Sequence, residues 1–416
     1  YEILYLWVAR MIMMGLHFLN DVPFREVFVH GIVRDIYGKK MSKSLGNVID
    51  PLDIVEKYGT DALRFSLVSS TTAGRDIHLA EESFVSSRNF MNKVYNMTRF
   101  ILMNISQQDI NLIKDWIKNF DESKLSFLGI AEEWIFSELD RLIKKINDYY
   151  KKYLLGSIAH ELYDFVWFKF CDWYLETAKI NLQKEEKKVS TLGVLLVVLN
   201  KILKLLHPIT PFFTEYIYQN IKSFFYEEDK DSILNVSFVE EFNFKFDSFK
   251  VIIYEVIKNI ISEIRTIRNE FKIQLNIKPN IIIAVEKNQK ILDTIKEYSS
   301  YIQRLGLVNN ISFINKQNEE FKKPQHSATT VFETTKEFGN LELYVLLEGI
   351  IDFEKEKQRL KKEIEETEKF FVSLEQKLNN SEFLTKAPKQ EVEKIKEKYI
   401  LTKEKIEKIK HYYQEL

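Results

Sequence analysis

Two lysines three positions apart, Lys40 and Lys43, bracket Met41 and Ser42, and Ser44 follows. Ammonium groups on long stems are point charges suited to phosphate oxygens. Gly38 ahead of them and Gly46-Asn47 behind let the backbone turn and come close to a ligand. The chemistry this suggests is the holding and neutralising of a triphosphate. Such a loop needs an element to aim it. Val27-Phe28-Val29-His30-Gly31-Ile32-Val33 is a short apolar, β-branched run, which predicts a buried strand over 26–33. His30-Gly31 falls at its end, where open α/β sheets bind ligands.

Composition bounds the rest. A chain of 416 residues is long enough for two to four domains, and 45% hydrophobic with 29% charged residues describes a globular protein with large cores. The formal net charge is −1, so any nucleic-acid surface has to be a local patch. The single cysteine, Cys171, excludes an internal disulfide and a cysteine-rich zinc site. It is expected to be a small buried hydrophobe in a reducing, cytoplasmic compartment. Residues 3–19 are apolar all round, with Arg10 near the middle. A central arginine is costly in lipid, so this predicts a buried helix and not a membrane span. No signal peptide is visible, and the chain opens on Tyr1 in mid-pattern, as expected of a fragment.

After the loop, Asp50-Pro51 predicts a capped helix over 51–58, and Thr60 or Asp61 caps the next. From 82 to 224 the pattern is helix after helix. Phe84, Phe90, Val94, Met97 and Ile101 recur at helical spacing, with Arg88, Lys93 and Arg99 on or beside that helix. These cations could meet an RNA backbone or merely keep a face soluble. A second helix covers 131–153, with Trp134, Ile135, Leu139, Leu142 and Ile146 inward. A third, 157–180, is apolar from Leu162 through Phe165, Val166, Trp167, Phe168, Phe170 and Trp173 to Leu175. It should sit at the centre of a bundle, with Asp164 and Asp172 buried or at its ends and in need of partners. A fourth covers 190–206. His207 before Pro208 reads as structural, and Pro211 starts the next helix.

Residues 225–250 read as a connector. Ile253, Ile257, Ile260, Ile264, Ile267 and Phe271 then step along a helix beside a basic row, Lys258, Arg265, Arg268 and Lys272, suited to phosphate contacts or to solubility. Strands at 281–285 and 345–347, a helix over 288–304 and alternation over 308–314 predict a small α/β unit. Two heptad runs follow. Phe353, Lys357, Leu360, Ile364, Thr367, Phe371, Leu374 and Leu378 form the first. Val392, Ile395, Tyr399, Thr402, Ile406, Ile409, Tyr413 and Leu416 form the second. With Asn379-Asn380 and Pro388 between, they predict an antiparallel helical hairpin that needs no partner chain. Residues 386–410 hold nine lysines and five glutamates, so the second arm is basic.

Several stretches together resemble the class I aminoacyl-tRNA synthetases and, among them, the valyl-tRNA synthetase family. They are LWVARMIMM (6–14), HGIVRD (30–35), KMSKSLGNVIDP (40–51), FCDWYLE (170–176), HPITPF (207–212) and the C-terminal arm. KMSKS is the second signature of the class. The likeness runs through most of the chain and is weakest over 230–350. It implies a mostly α chain: 1–80 as the C-terminal part of a Rossmann-like α/β catalytic domain with its stem-contact region, 81–275 as an α-helical anticodon-binding bundle, 276–350 as a small α/β connector, and 351–416 as a coiled-coil tRNA-binding arm. It implies activation of valine by ATP and transfer to tRNA(Val), with Lys40 and Lys43 neutralising charge as pyrophosphate leaves. ATP would be bound by Lys40, Met41, Ser42, Lys43 and Ser44, with His30 and Gly31 near the adenine, and Ile3 and Trp7 would wall the amino-acid pocket. Arg88, Lys93, Lys258, Arg265, Arg268 and Lys272 are the candidate tRNA contacts.

The resemblance further implies that Mg2+ travels with ATP and needs no metal site in the protein, and that the enzyme is a monomer with no membrane partner. One departure matters. The family's first signature, His-x-Gly-His, and its editing domain are absent from this sequence, so the chain alone is expected to bind tRNA weakly and to make no adenylate. Two alternatives stay open: an isoleucyl- or leucyl-type synthetase, and a non-catalytic tRNA-binding fragment. The WVARMIMM run and the hairpin weigh against the first, and the intact KMSKS loop against the second.

Overall fold

Asp50 and Pro51 begin a helix as their types dictate: the Asp50 carboxylate accepts from the Leu52 amide at 2.8 Å and proline fills the first turn of α2, Pro51–Tyr58. The computed structural model in which this is seen describes residues 3–35, 37–39, 41–72, 75–225, 231–286, 288–317, 321–333, 339–380 and 389–415. Of Lys43, Ser126, Glu333, Lys389, Gln390 and Glu415 only the backbone is described. The chain divides into two units, Tyr1–Val251 and Ile252–Leu416.

The first unit opens with α1, Leu4–Leu19, in which π-helical turns flank a short α segment. The expectation of a buried helix is corrected here. Gly15 is its one buried residue, and Phe18 and Leu19 are 73% and 78% exposed. An apolar helix buries its faces only where a second layer is supplied, and none of the described residues supplies one. The expected strand over 26–33 is corrected too. Only Val33–Arg34 (β1) is paired, parallel to Ile77–His78 (β2), because a strand is limited to the length of the neighbour that satisfies its amides. His30-Gly31 therefore precedes the strand and does not end it. A Cβ on Gly31 would lie 1.9 Å from the Arg75 carbonyl oxygen, so this position is glycine because two backbones cross there.

Helix α3, Thr60–Ser69, is preceded by Gly59 at φ 91°, and neither Thr60 nor Asp61 caps it as expected. The Asp61 carboxylate instead accepts from the Phe213 amide at 2.5 Å, in the first turn of α11, Pro211–Ile221. It thus caps a helix 150 positions further along the chain. Arg64 on the next turn of α3 donates to the Ile209 and Pro208 carbonyls at 2.9 and 3.1 Å. His207 is structural, its Nδ1 lying 2.7 Å from the Thr214 hydroxyl. Asp61 is 6% exposed, and burial pushes its carboxyl above the usual range. Its raised value means that it favours folding most at low pH and loses that contribution as pH rises through its folded value. Asp61→Asn keeps an acceptor for Phe213 and cannot ionise, so it should change stability by less than about 0.5 kcal/mol at pH 7, whereas Asp61→Ala should cost about 1–2 kcal/mol. Urea denaturation of both variants between pH 5 and 8 checks this.

The bundle is built from α4 (Glu81–Met103), α5 (Asp109–Lys118), α6 (Glu122–Ser126), α7 (Ile130–Lys151), α8 (Leu155–Asp164), α9 (Glu176–Asn181), α10 (Glu185–Leu206) and α11. A π-helical run, Phe165–Leu175, joins α8 to α9. The expected inward residues of α4 and α7 are all buried. So is Cys171, whose thiol burial pushes up to about 12. In the third predicted helix Phe168 is 51% exposed and Asp164 is exposed, which corrects the all-round apolar expectation. Asp172 does find a partner, Lys93 Nζ at 2.9 Å. α10 is long and apolar enough to cross a membrane, but 78% of its apolar window is buried inside the bundle. The connector lies along α6 and α7 because their acids receive its amides: Phe242 on Asp140, Lys245 on Glu122 and Asp247 on Glu133, at 2.9, 2.9 and 2.6 Å.

α12, Ser248–Glu270, carries the chain into the second unit, where Ile253, Ile257, Ile260, Ile264 and Ile267 are wholly buried. A four-stranded sheet follows in the order β4-β3-β6-β5: β3 is Ile281–Val285, β4 Ile311–Asn315, β5 Ser327–Glu333 and β6 Asn340–Leu346. β3 runs parallel to β4 and antiparallel to β6. The single helix expected over 288–304 is two, α13 (Gln289–Glu297) and α14 (Ser299–Gly306). The arms are α15, Phe353–Asn379, and α16, Lys389–Glu415. Phe371 stacks on Tyr399 at 4.6 Å and Glu363 pairs with Lys405 at 3.0 Å, so the two run in opposite directions. Near its end the second arm turns Tyr412 inward, 2% exposed against the Phe271 ring, where the heptad count pointed to Tyr413. Pro388, Leu416 and the turn over 381–388 lie outside the described residues.

Candidate active-site loop and nucleic-acid interface

The lysine-flanked loop leaves the carboxyl end of β1. Asp35 Oδ1 accepts from the Tyr37 and Lys39 amides at 3.0 and 2.8 Å, and Gly38, at φ 76°, donates to the Asp35 carbonyl at 3.0 Å. On the far side Asn47 Oδ1 accepts from the Ser42 amide at 3.0 Å, while Asn47 Nδ2 donates to Asp35 Oδ2 at 2.9 Å. Ser42 and Ser44 hydroxyls lie 3.1 Å apart, and a 3-10 turn, Lys43–Leu45, completes the loop. The hydrogen bond from Asn47 and those from Lys39 and Tyr37 hold the Asp35 carboxyl below the usual range. Arg34 pairs with Asp76, which also accepts from the Ile32 amide at 3.0 Å; that amide and then Arg34 hold its carboxyl low. The hydrogen bond between Asp35 and Asn47 has no counterpart in the sequence pattern. Their separation of twelve residues across a loop leaves no periodic signal.

Lys40 and the side chain of Lys43 lie outside the described residues. Met41 and Ser42 are half-buried and Ser44 is exposed. His30 is exposed, with Nδ1 2.9 Å from the Gly31 carbonyl. Trp7 on α1 and Ile3 just before it stand 58% and 57% exposed, and Arg10 lies over the Trp7 ring.

The expected basic row on α12 needs correction. Arg268 is 4% exposed and donates to the Ile277, Leu307 and Gln274 carbonyls. Arg265 donates to the Leu305 carbonyl at 3.1 Å, and Lys258 pairs with Glu255 at 3.0 Å. Lys272 is exposed, at φ 50°. Cations that look free on a helical wheel are here consumed by carbonyls and acids that tertiary structure brings to them. On α4, Lys93 is held by Asp172 and lies 4.5 Å over the Trp167 ring, while Arg88 is exposed, 5.5 Å over the Tyr58 ring.

A cleft of about 290 Å3 between α4 and α11 was not foreseen. Tyr95, Thr98, Arg99, Leu102 and Met103 face Tyr216 and Asn220 across it, and the two tyrosines are 42% and 59% exposed. Aromatic faces beside an arginine are what an unstacked base needs: a surface to stack on and a cation for its phosphate.

Three family descriptions match the chain in order. "tRNA synthetases class I (I, L, M and V)" covers residues 1–80, "Anticodon-binding domain of tRNA ligase" covers 132–284, and "Valyl tRNA synthetase tRNA binding arm" covers 352–416. With this order of parts and the signature loop, the chain belongs to the class I aminoacyl-tRNA synthetase family. Within that class its similarity is to valine–tRNA ligases. It is 38% identical over 98% of its length to that of Clostridium tetani, and 35% identical over 100% to that of Thermotoga maritima. In both cases it spans 44% of the relative, less than half of that protein's length. Among solved structures, the ternary complex of Agrobacterium radiobacter K84 agnB2 LeuRS with tRNA and LeuAMS matches 73% of this chain and 35% of that one. The TM-score there is 0.41 and the identity 16%.

Proposed function

We propose that this chain works as part of a valine–tRNA ligase, contributing the phosphate loop, the helical bundle and the tRNA-binding arm. The single observation that carries the reading is similarity to valine–tRNA ligases along nearly all of this chain, with Lys40-Met41-Ser42-Lys43-Ser44 intact. The substrates are valine, ATP with its Mg2+, and tRNA(Val), and the enzyme acts as a cytoplasmic monomer. Activation is in-line attack of the valine carboxylate on the α-phosphate, and Lys40 and Lys43 neutralise the negative charge that grows on the departing pyrophosphate. Ile3 and Trp7, both exposed, face valine once the earlier half of the nucleotide fold is in place. The domain limits proposed from sequence, 1–80, 81–275, 276–350 and 351–416, are kept as functional regions. Valine-dependent ATP–pyrophosphate exchange, with isoleucine and leucine as comparison substrates, tests the reading. Exchange with either of those in place of valine would overturn it.

On the RNA side, the α4–α11 cleft is the site we assign to a base of the tRNA, with Arg88 and Lys272 as exposed backbone contacts. Tyr216→Ala should weaken tRNA binding by about 10- to 100-fold through lost stacking. Arg99→Ala should reduce the slope of log affinity against log salt by about 1. Fluorescence anisotropy with labelled tRNA over a salt series reads both effects.

A further inference from the structure

Neither Asp35 nor Asn47 carries the charge or nucleophilicity that adenylation chemistry uses, yet between them they hold both shoulders of the phosphate loop. Asp35 gathers the Tyr37 and Lys39 amides on one carboxylate oxygen. Its other oxygen receives Asn47, whose carboxamide oxygen takes the Ser42 amide in the middle of the KMSKS stretch. A bridge from a carboxylate to a backbone N–H needs a side chain that donates at one atom and accepts at the next. Asparagine has both groups at this length, and aspartate or alanine does not. We propose that Asp35 and Asn47 are positioning residues for adenylation, locking the turn that carries residues 40–44 in the geometry the transition state requires. The inference rests on the ligase reading above. Its physical basis is that groups aimed at developing charge help only if they need no reorganisation when the reaction occurs.

The test is a swap. In Asn47→Asp two carboxylates face each other, and in Asp35→Asn two carboxamides do. In the double variant Asp35→Asn/Asn47→Asp the donor and acceptor are exchanged: Asn at 35 donates to Asp at 47, which still accepts from Ser42. The complete ligase containing this chain is assayed by valine-dependent pyrophosphate exchange. Asn47→Ala and Asn47→Asp are expected to lower kcat about 100-fold, with KM for valine within about two-fold of wild type. The double variant is expected to return to within about ten-fold of wild type. Tryptic cleavage at Lys39 and Lys43 should speed up several-fold in the single variants and slow again in the swap, because a loosened loop opens more often. A kcat for Asn47→Ala within about two-fold of wild type, or a swap no better than the single variants, would overturn the proposal. So would unfolding of the singles and the swap alike. A wild-type enzyme without valine-dependent exchange would instead remove the ligase reading, and this inference with it.

Discussion

Lys43→Ala is expected to lower the rate of valine-dependent pyrophosphate exchange about 100- to 1,000-fold, the size of effect seen when one preorganised group facing a developing oxyanion is removed. The loss should fall on kcat and leave KM for valine nearly unchanged, since the charge that Lys43 meets exists mainly in the transition state. Lys43→Arg should recover only part of the rate, because a planar fork on a different stem presents its donors elsewhere. Stability should not follow activity. The hydrogen bonds described across the loop are donated by the Lys39 and Ser42 amides and the Asn47 carboxamide. Rapid-quench measurement of adenylate formation in the complete ligase separates the chemical step from binding. Wild-type rates in Lys43→Ala would refute the assignment of this loop to pyrophosphate.

The second large effect is on folding. Phe90 is wholly buried, its ring 4.9 Å from Phe65 of α3 and 5.1 Å from Tyr163 of α8. Phe90→Ala removes the ring on which three helices meet and should destabilise the first unit by about 4 kcal/mol. Phe90→Leu keeps most of the volume and should cost about 1–1.5 kcal/mol. All five tryptophans, at 7, 116, 134, 167 and 173, lie in residues 1–251, so tryptophan fluorescence during urea denaturation follows that unit alone. Equal stability of Phe90→Ala and wild type would mean that this aromatic junction is not where α3, α4 and α8 are held together.

Much of the scaffold was legible in the chain itself. The four-three spacing of Ile253 to Phe271, the cap at Asp50, the helix-starting Pro211 and the two heptad runs are local patterns. The helices and the hairpin follow from them because side chains at those periods must share a face. The phosphate loop was readable as lysines between glycines. The pairings were not. That Asp61 caps α11, that Asp35 reaches Asn47, and that Arg268 is spent on carbonyls depend on contacts between residues with no sequence period in common. The exposed α1 and the two-residue β1 failed for a related reason: hydropathy states what a segment would bury, and only a neighbouring layer decides whether it does. The sequence by itself determined most of the helices and which loop carries the charge. The tertiary structure decided which cations remain free for a ligand and which serve the fold, because a charge is committed only by the groups that folding brings beside it.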